Sequence, residues 1–95
     1  MNEKPERLLV DDAEIARVTR LVTELDDEEQ VRLLFDDGAV LEGVVATRPS
    51  MQLFRDDAGD SGFNALLRLE PLSGEALPQW IWLDRVIEVV RLGSD

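Results

Sequence analysis

The chain has 95 residues, enough for one compact domain over 1–95, and its 21 acidic and 10 basic residues give a formal net charge of −11. It contains no cysteine and no histidine. That composition excludes disulfides, Cys/His or Ser/His catalysis and the usual zinc sites. No stretch resembles a signal peptide or reaches the length of a membrane span, so we expect a cytoplasmic protein with no metal or other cofactor.

The acidity also bears on the kind of partner. Affinity for nucleic acid comes mainly from lysine and arginine contacts with phosphate, and Lys4 is the only lysine of the chain. An excess of acidic residues repels phosphate backbones at long range. The charge therefore disfavours nucleic acid as a partner, although a local cluster of arginines on one face stays compatible with it. The simplest interpretation of the acidic residues is a solvated surface.

The first element in chain order is a predicted helix over about residues 12–25. Asp11 has the character of an N-cap, and Glu14 follows three residues later in the pattern of a capping box. The apolar residues then recur at intervals of three and four and form one stripe: Ile15, Val18, Leu21, Val22 and Leu25. The acidic run 26–29 stands where the helix dipole disfavours acids, so we expect it to end the helix.

A hairpin of two short strands is predicted next. Within 31–35, the apolar residues Val31, Leu33 and Phe35 alternate with residues 32 and 34, as in a half-buried strand. The Asp-Asp-Gly sequence at 36–38 supplies a tight turn that tolerates positive φ. Gly43 lies inside the returning strand, where a glycine normally weakens a sheet. It therefore indicates a sharp bend or the close approach of another backbone.

The rest of the chain predicts further short strands separated by polar turns. These predicted strands cover 51–55, 63–70, 79–83 and 86–92. One helix followed by five or six short antiparallel strands defines an α+β domain. The most economical arrangement is a small bent sheet or open barrel capped by the helix.

The hairpin carries a resemblance to a known family, the Sm-like proteins. The positions that match the first family signature are Leu33, Asp37, Gly38, Leu41 and Gly43. Downstream, SMQLF at 50–54 resembles the Met-Asn-Leu segment of the family, and IWLDRVIEVV at 81–90 resembles the second signature of bacterial Hfq-type members. The resemblance implies a helix at about 12–25 over a strongly bent five-stranded antiparallel sheet at about 30–92, an Sm-like small barrel. The chain is also similar to a small bacterial family with a variant Sm-like motif.

The chain departs from the Sm-like pattern where the family binds RNA. The family has an aspartate and, four residues later, an asparagine that reads a base; this chain has Arg48 and Gln52. The second signature contributes a basic residue, where this chain has Leu83-Asp84. Because leucine has no donor and aspartate repels phosphate, the resemblance implies that RNA binding of the family kind is lost or altered. Arg48, Gln52 and Arg85 are the candidates for a vestigial nucleotide pocket, and ordinary loop and strand roles are the simpler interpretation.

The strand that holds both tryptophans suggests a surface for self-association. Sm-like proteins assemble by pairing the fourth strand of one subunit with the fifth strand of the next, and this region lies where that edge is expected. The candidate interface residues are Trp80, Trp82, Val86 and Val89. The alternative places the apolar residues of this strand in the core of the domain.

Together these features predict a non-catalytic interaction module that forms a homo-oligomer, with a dimer favoured over a ring. The alternative function is an RNA- or nucleotide-binding Sm-like protein. A third hypothesis is an acidic mimic of nucleic acid that occupies basic partner surfaces.

Overall fold

The computed structural model describes residues 5, 7–73 and 76–93. Within them one helix, α1 (Asp12–Thr23), precedes seven strands, and a 3₁₀ turn, η1 (Leu83–Arg85), separates the last two strands. The strands are β1 (Gln30–Phe35), β2 (Val40–Val45), β3 (Gln52–Arg55), β4 (Ser61–Asn64), β5 (Leu66–Glu70), β6 (Gln79–Trp82) and β7 (Val86–Arg91).

The sequence predicts the start of α1 correctly and its end to within two residues. Asp11 is the N-cap, and its side-chain carboxylate accepts a hydrogen bond from the Glu14 N–H at 3.1 Å. The helix ends at Thr23, and the N–H of Glu24 caps the last turn by bonding to helix carbonyls. The buried apolar residues of this region are Val18, Leu21 and Leu25.

Five of the strands form one antiparallel sheet in the order β6-β5-β2-β1-β7, which confirms the prediction of a helix with a five-stranded antiparallel sheet. The remaining strands, β3 and β4, form a separate two-stranded sheet. The prediction of one strand over 63–70 is therefore wrong. Asn64 explains the break: its side-chain oxygen accepts the N–H of Ala65 at 2.8 Å, so a side chain takes the place of a ladder partner there.

The sheet is bent, as expected, and of the two predicted arrangements the bent sheet is the one that fits, because the strands do not close into a small barrel. β6 and β7 are its two edges, and no pairing joins them in the part of the chain that the structure describes. Five flat strands would hold the edge strands about 19 Å apart, yet only η1 connects β6 to β7, and three residues of 3₁₀ turn advance about 6 Å. The sheet must therefore bend until the end of β6 and the start of β7 lie close together.

Gly43 lies where β2 meets β5. A Cβ atom at this position would stand 2.5 Å from the backbone oxygen of Glu70 and 2.6 Å from Cγ of Leu69. Both distances are well inside van der Waals contact, so only glycine fits without a backbone shift. Of the two predicted explanations for this glycine, the close approach of another backbone is confirmed.

The core lies between the inner face of the five-stranded sheet, α1 and the segment before the helix. Leu9, fully buried in that segment, exchanges two backbone hydrogen bonds of 2.8 Å with Phe63 on β4. The sheet residues of the core are Val31, Leu33, Val45, Leu67, Leu69, Ile81 and Val86, and Leu83 joins them from η1.

Candidate functional site

The two tryptophans project from the face of the sheet opposite the core, which we term the outer face. Trp80 pairs with Arg68 and Trp82 pairs with Leu66 across the β5–β6 ladder. Ile81, between the tryptophans, points inward and is buried. Side chains alternate along a strand, so the tryptophans on either side of Ile81 point away from the core. This register does not support the alternative that places them in the core.

The tryptophans differ in how far they are covered. Trp80 is 43% exposed, and the guanidinium carbon of Arg68 lies 5.7 Å from its ring centroid in a cation–π contact. Trp82 is half-buried, and its ring meets the ring of Phe54 edge to face, with centroids 5.6 Å apart. Trp80 therefore offers the accessible apolar surface on β6, whereas Trp82 also holds the β3–β4 sheet against the outer face.

The valines of β7 lie deeper than the sequence suggests. Val86 is fully buried in the core, so its side chain is not available to an interface, and Val89 is partly buried against the same core. Both residues between them, Ile87 and Glu88, are open to solvent, and Ile87, 55% exposed, is the apolar one. The exposure of Ile87 accompanies a shift of register in the β1–β7 pairing. An irregularity that depends on a second strand cannot be predicted from the sequence of β7 alone.

The predicted nucleotide pocket is only partly assembled. Arg48 and Gln52 line one shallow depression of about 280 Å³, and Trp80 and Arg68 border the same depression. Arg85 lies elsewhere, at the β1–β2 turn, where its guanidinium forms ion pairs with two aspartates. The structure therefore brings Arg48 and Gln52 together with Trp80 and leaves Arg85 out. Sequence reasoning did not select Arg68, although buried and exposed side chains alternate along LLRLE in β5 and this pattern puts Arg68 on the outer face.

The arginines around the depression already have carboxylate partners. Arg48 forms an ion pair with Asp26, and Arg68 is 2.9 Å from a carboxylate oxygen of Glu70. Asp26 also lies 3.4 Å from Arg91 at the end of β7. These exposed pairs contribute little to stability. They do cancel the positive charge that would attract a phosphate to the depression.

The positions that match the family's second signature are structural in this chain. Leu83 is fully buried, and Asp84 is nearly so. The Asp84 carboxylate accepts a hydrogen bond of 3.0 Å from the side-chain amide of Asn64, which also donates to the carbonyl of Arg7. Neither Leu83 nor Asp84 presents a group to the surface. Sequence reasoning missed the role of Asn64, because nothing local marks it as buried.

Arg17 ties the helix to the same turn. Its guanidinium donates to the backbone carbonyls of Asp84 at 2.9 Å and Val86 at 2.6 Å. Asp84 lies within η1, the short connection between the two edge strands, and Val86 directly follows it. This arginine of α1 therefore holds η1 and the start of β7 against the helix.

Arg85 and Asp37 stabilise the β1–β2 turn electrostatically. The N–H of Ala39 donates to the Asp37 carboxylate at 2.9 Å and is the main cause that lowers the pKa of Asp37. Partial desolvation opposes this shift, and the charge of Arg85 adds to it. The pKa of Arg85 is raised, first by its hydrogen bond to Asp36 and then by the charge of Asp36 and Asp37. This arginine is engaged in the turn.

The acidic loop after β3 has a local explanation. The Asp56 carboxylate accepts hydrogen bonds from the backbone N–H groups of Ala58 and Asp60, the geometry of a side-chain-stabilised turn. Across residues 5, 7–73 and 76–93, no cluster of three or more His, Cys, Asp or Glu side chains is arranged to hold a metal ion. In the same ranges no helix has the length and apolar character needed to cross a membrane.

The fold and the comparisons with known proteins agree. The chain belongs to the family described as Domain of unknown function (DUF3247), whose model matches residues 2–92. It is similar to XC5848 from Xanthomonas campestris, whose crystal structure adopts a novel variant of the Sm-like motif, with 36% identity and a TM-score of 0.86. The match covers 98% of this chain and 100% of that chain. No curated protein matches the chain. The predicted resemblance to a variant Sm-like family is confirmed.

Proposed function

We propose that this chain is a non-catalytic interaction module that associates with copies of itself through the open edges of its sheet. The observation that carries the proposal is that β6 and β7 have no strand on their outer sides among the described residues, and each has an exposed apolar side chain, Trp80 and Ile87. A strand edge presents N–H and C=O groups that bind another strand, and apolar side chains beside it add buried area.

The charge of the chain favours a small assembly. Each subunit carries a formal net charge of −11, so every added copy increases the electrostatic repulsion. The residues that replace the family's phosphate-facing cation, Leu83 and Asp84, are buried, which supports the loss of the RNA pocket. With no bound RNA to gather subunits, a homodimer is the assembly we propose.

The test is light scattering coupled to size-exclusion chromatography. We expect the wild type to elute at twice the chain mass of 10.7 kDa. Trp80→Glu and Val90→Glu place a charge on β6 and β7 in turn, and at least one of them should give a folded monomer. Val10→Glu is the matched control, because Val10 is exposed and apolar but lies outside the five-stranded sheet. A wild-type monomer at all concentrations would overturn the proposal.

A second candidate function is nucleotide or RNA binding at the depression next to Trp80. Its support is that Arg48, Gln52 and an exposed aromatic ring line one concave surface. This function requires retention of short oligonucleotides in a filter assay at low salt, weakening as salt rises and lost in Arg48→Ala. Retention with that pattern would favour it over the module; no retention at low salt would exclude it.

A further inference from the structure

The free edge of β7 contains one regular stretch whose two ends the structure defines. At its start the pairing with β1 skips a residue, and Ile87 is the extra residue of a β-bulge. At its end Gly93 has a φ of +92°, which takes the chain out of the extended conformation. Residues 88–92 lie between these two features. We term them the edge segment, and Val90 is at its centre.

The direction of the backbone groups along the edge segment follows from one hydrogen bond. The N–H of Leu92 donates to the carbonyl of Gln30, just at the start of β1, at 2.9 Å. Hydrogen-bonding direction alternates along an antiparallel strand, so every second residue counting back from Leu92 also faces β1. The N–H and C=O groups of Val89 and Arg91 therefore point to the free edge. They are placed symmetrically about Val90.

We propose that two copies of this chain pair antiparallel along their edge segments, with the two-fold axis at Val90. The inference rests on the proposed self-association and deepens it by naming one edge and one register. Val89 of each chain then faces Arg91 of the other, so every outward donor and acceptor of the edge segment finds a partner. The two five-stranded sheets join into one continuous sheet across the axis.

The composition of the edge segment suits a second copy. It has neither the proline nor the lysine with which proteins commonly protect an edge strand. In this register Glu88 faces Leu92 and Arg91 faces Val89, so no like charges stand directly opposite one another. Arg91 also keeps a carboxylate within reach, because Asp26 lies 3.4 Å away.

The other edge of the sheet is less suited to self-pairing. On β6 the N–H of Leu83, next along the chain, donates to Ala65 on the β5 side at 3.0 Å. By the same alternation only Trp80 and Trp82 direct backbone groups outward. Pro78 precedes β6 and η1 follows it, so the available edge is shorter than on β7.

The chain contains no cysteine, so single introduced cysteines test the register directly. In the proposed pairing Val90 faces its own copy in a non-hydrogen-bonded pair, with Cα atoms about 4.5 Å apart, within the range of about 4.4–6.8 Å that disulfides span. We expect Val90→Cys to form a covalent dimer under mild oxidation. Ile87→Cys is the matched control: Ile87 is 55% exposed, yet in this register it lies far from its own copy and should stay monomeric on a non-reducing gel.

The outcomes separate the register from the broader function. A wild-type dimer in which Val90→Cys cross-links no better than Ile87→Cys would overturn the register and leave self-association standing. Efficient cross-linking of Trp82→Cys would move the contact to β6. A wild-type monomer by light scattering would overturn both.

A second variant serves if Val90→Cys fails to fold. Arg91→Pro removes an outward N–H without touching the ladder to β1, where an edge proline is tolerated. By symmetry the dimer loses this hydrogen bond twice, so we expect its dissociation constant to rise about tenfold or more. An unchanged dissociation constant would overturn the register.

Discussion

At the residue scale, Asp84 shows how a position can change its role while the fold persists. The Sm-like pattern places a basic residue near this position. Here the side chain turns inward and receives a hydrogen bond from Asn64 at 3.0 Å. A buried amide without that acceptor would keep the cost of its desolvation and lose the compensating bond.

Asp84→Ala therefore destabilises the folded chain. We expect a loss of about 1–3 kcal/mol in the free energy of unfolding, measured by urea denaturation. Asp84→Asn is the control, because its amide oxygen still accepts from Asn64, and it should lose less. If the two variants were equally stable, the hydrogen bond would not be the cause.

The β1–β2 turn makes a prediction about titration. The lowered pKa of Asp37 means that its charge stabilises the folded chain at pH above the ordinary value of 3.8, and that this contribution disappears as the pH falls through the lowered pKa. In Arg85→Ala we expect the pKa of Asp37 to rise only part of the way towards 3.8, because the Ala39 N–H still donates. Carboxyl ¹³C NMR measures the titration; no rise at all would contradict the contact with Arg85.

At the scale of elements, Gly43 decides how closely β2 and β5 pack. We expect Gly43→Ala to cost about 1–3 kcal/mol or more in urea denaturation, since the added methyl group meets backbone that cannot move aside. Val40→Ala on the same strand is the control, because Val40 is exposed and its truncation should cost much less. Amide shifts confined to β2 and β5 would locate the effect, and a stability equal to that of Val40→Ala would contradict it.

The elements that local patterns specify are the ones the sequence predicts well. The N-cap at Asp11, the Asp-Asp-Gly turn and the close approach at Gly43 each depend on residues near in sequence or on one missing Cβ. The errors come from contacts that a local pattern cannot contain. The break of the strand after Asn64 depends on a buried side-chain hydrogen bond, and the burial of Val86 depends on β1 and the bulge.

The candidate site follows the same division. Alternation along β6 places Trp80 and Trp82 on one face, but a local pattern cannot tell which face of the sheet is open. Arg48 and Gln52 meet because they are near in the chain. Arg85 does not join them, because the aspartates of the β1–β2 turn engage it instead.

At the scale of the whole molecule, the net charge gives a test that separates the two candidate functions. Two subunits of charge −11 repel each other, and salt screens that repulsion. We therefore expect self-association to strengthen between low and moderate ionic strength, as measured by sedimentation. Binding to RNA would weaken over the same range, because counterions compete for phosphate. A dimer that dissociates as salt rises would contradict an edge contact dominated by backbone pairing and apolar burial.

The position of β7 also has a consequence for the order of folding in time. Of the described strands, β7 is the last to be synthesised and pairs with β1, the first, and η1 connects β7 to β6 at the opposite edge of the sheet. During synthesis one side of β1 therefore stays unpaired until β7 has left the ribosome, and until then Val31 and Leu33 lack their partners on β7. Pairing between distant parts of a chain slows folding. Pairing of β7 with β1 completes the core of the monomer, and the dimer proposed above requires that β7 is already in place.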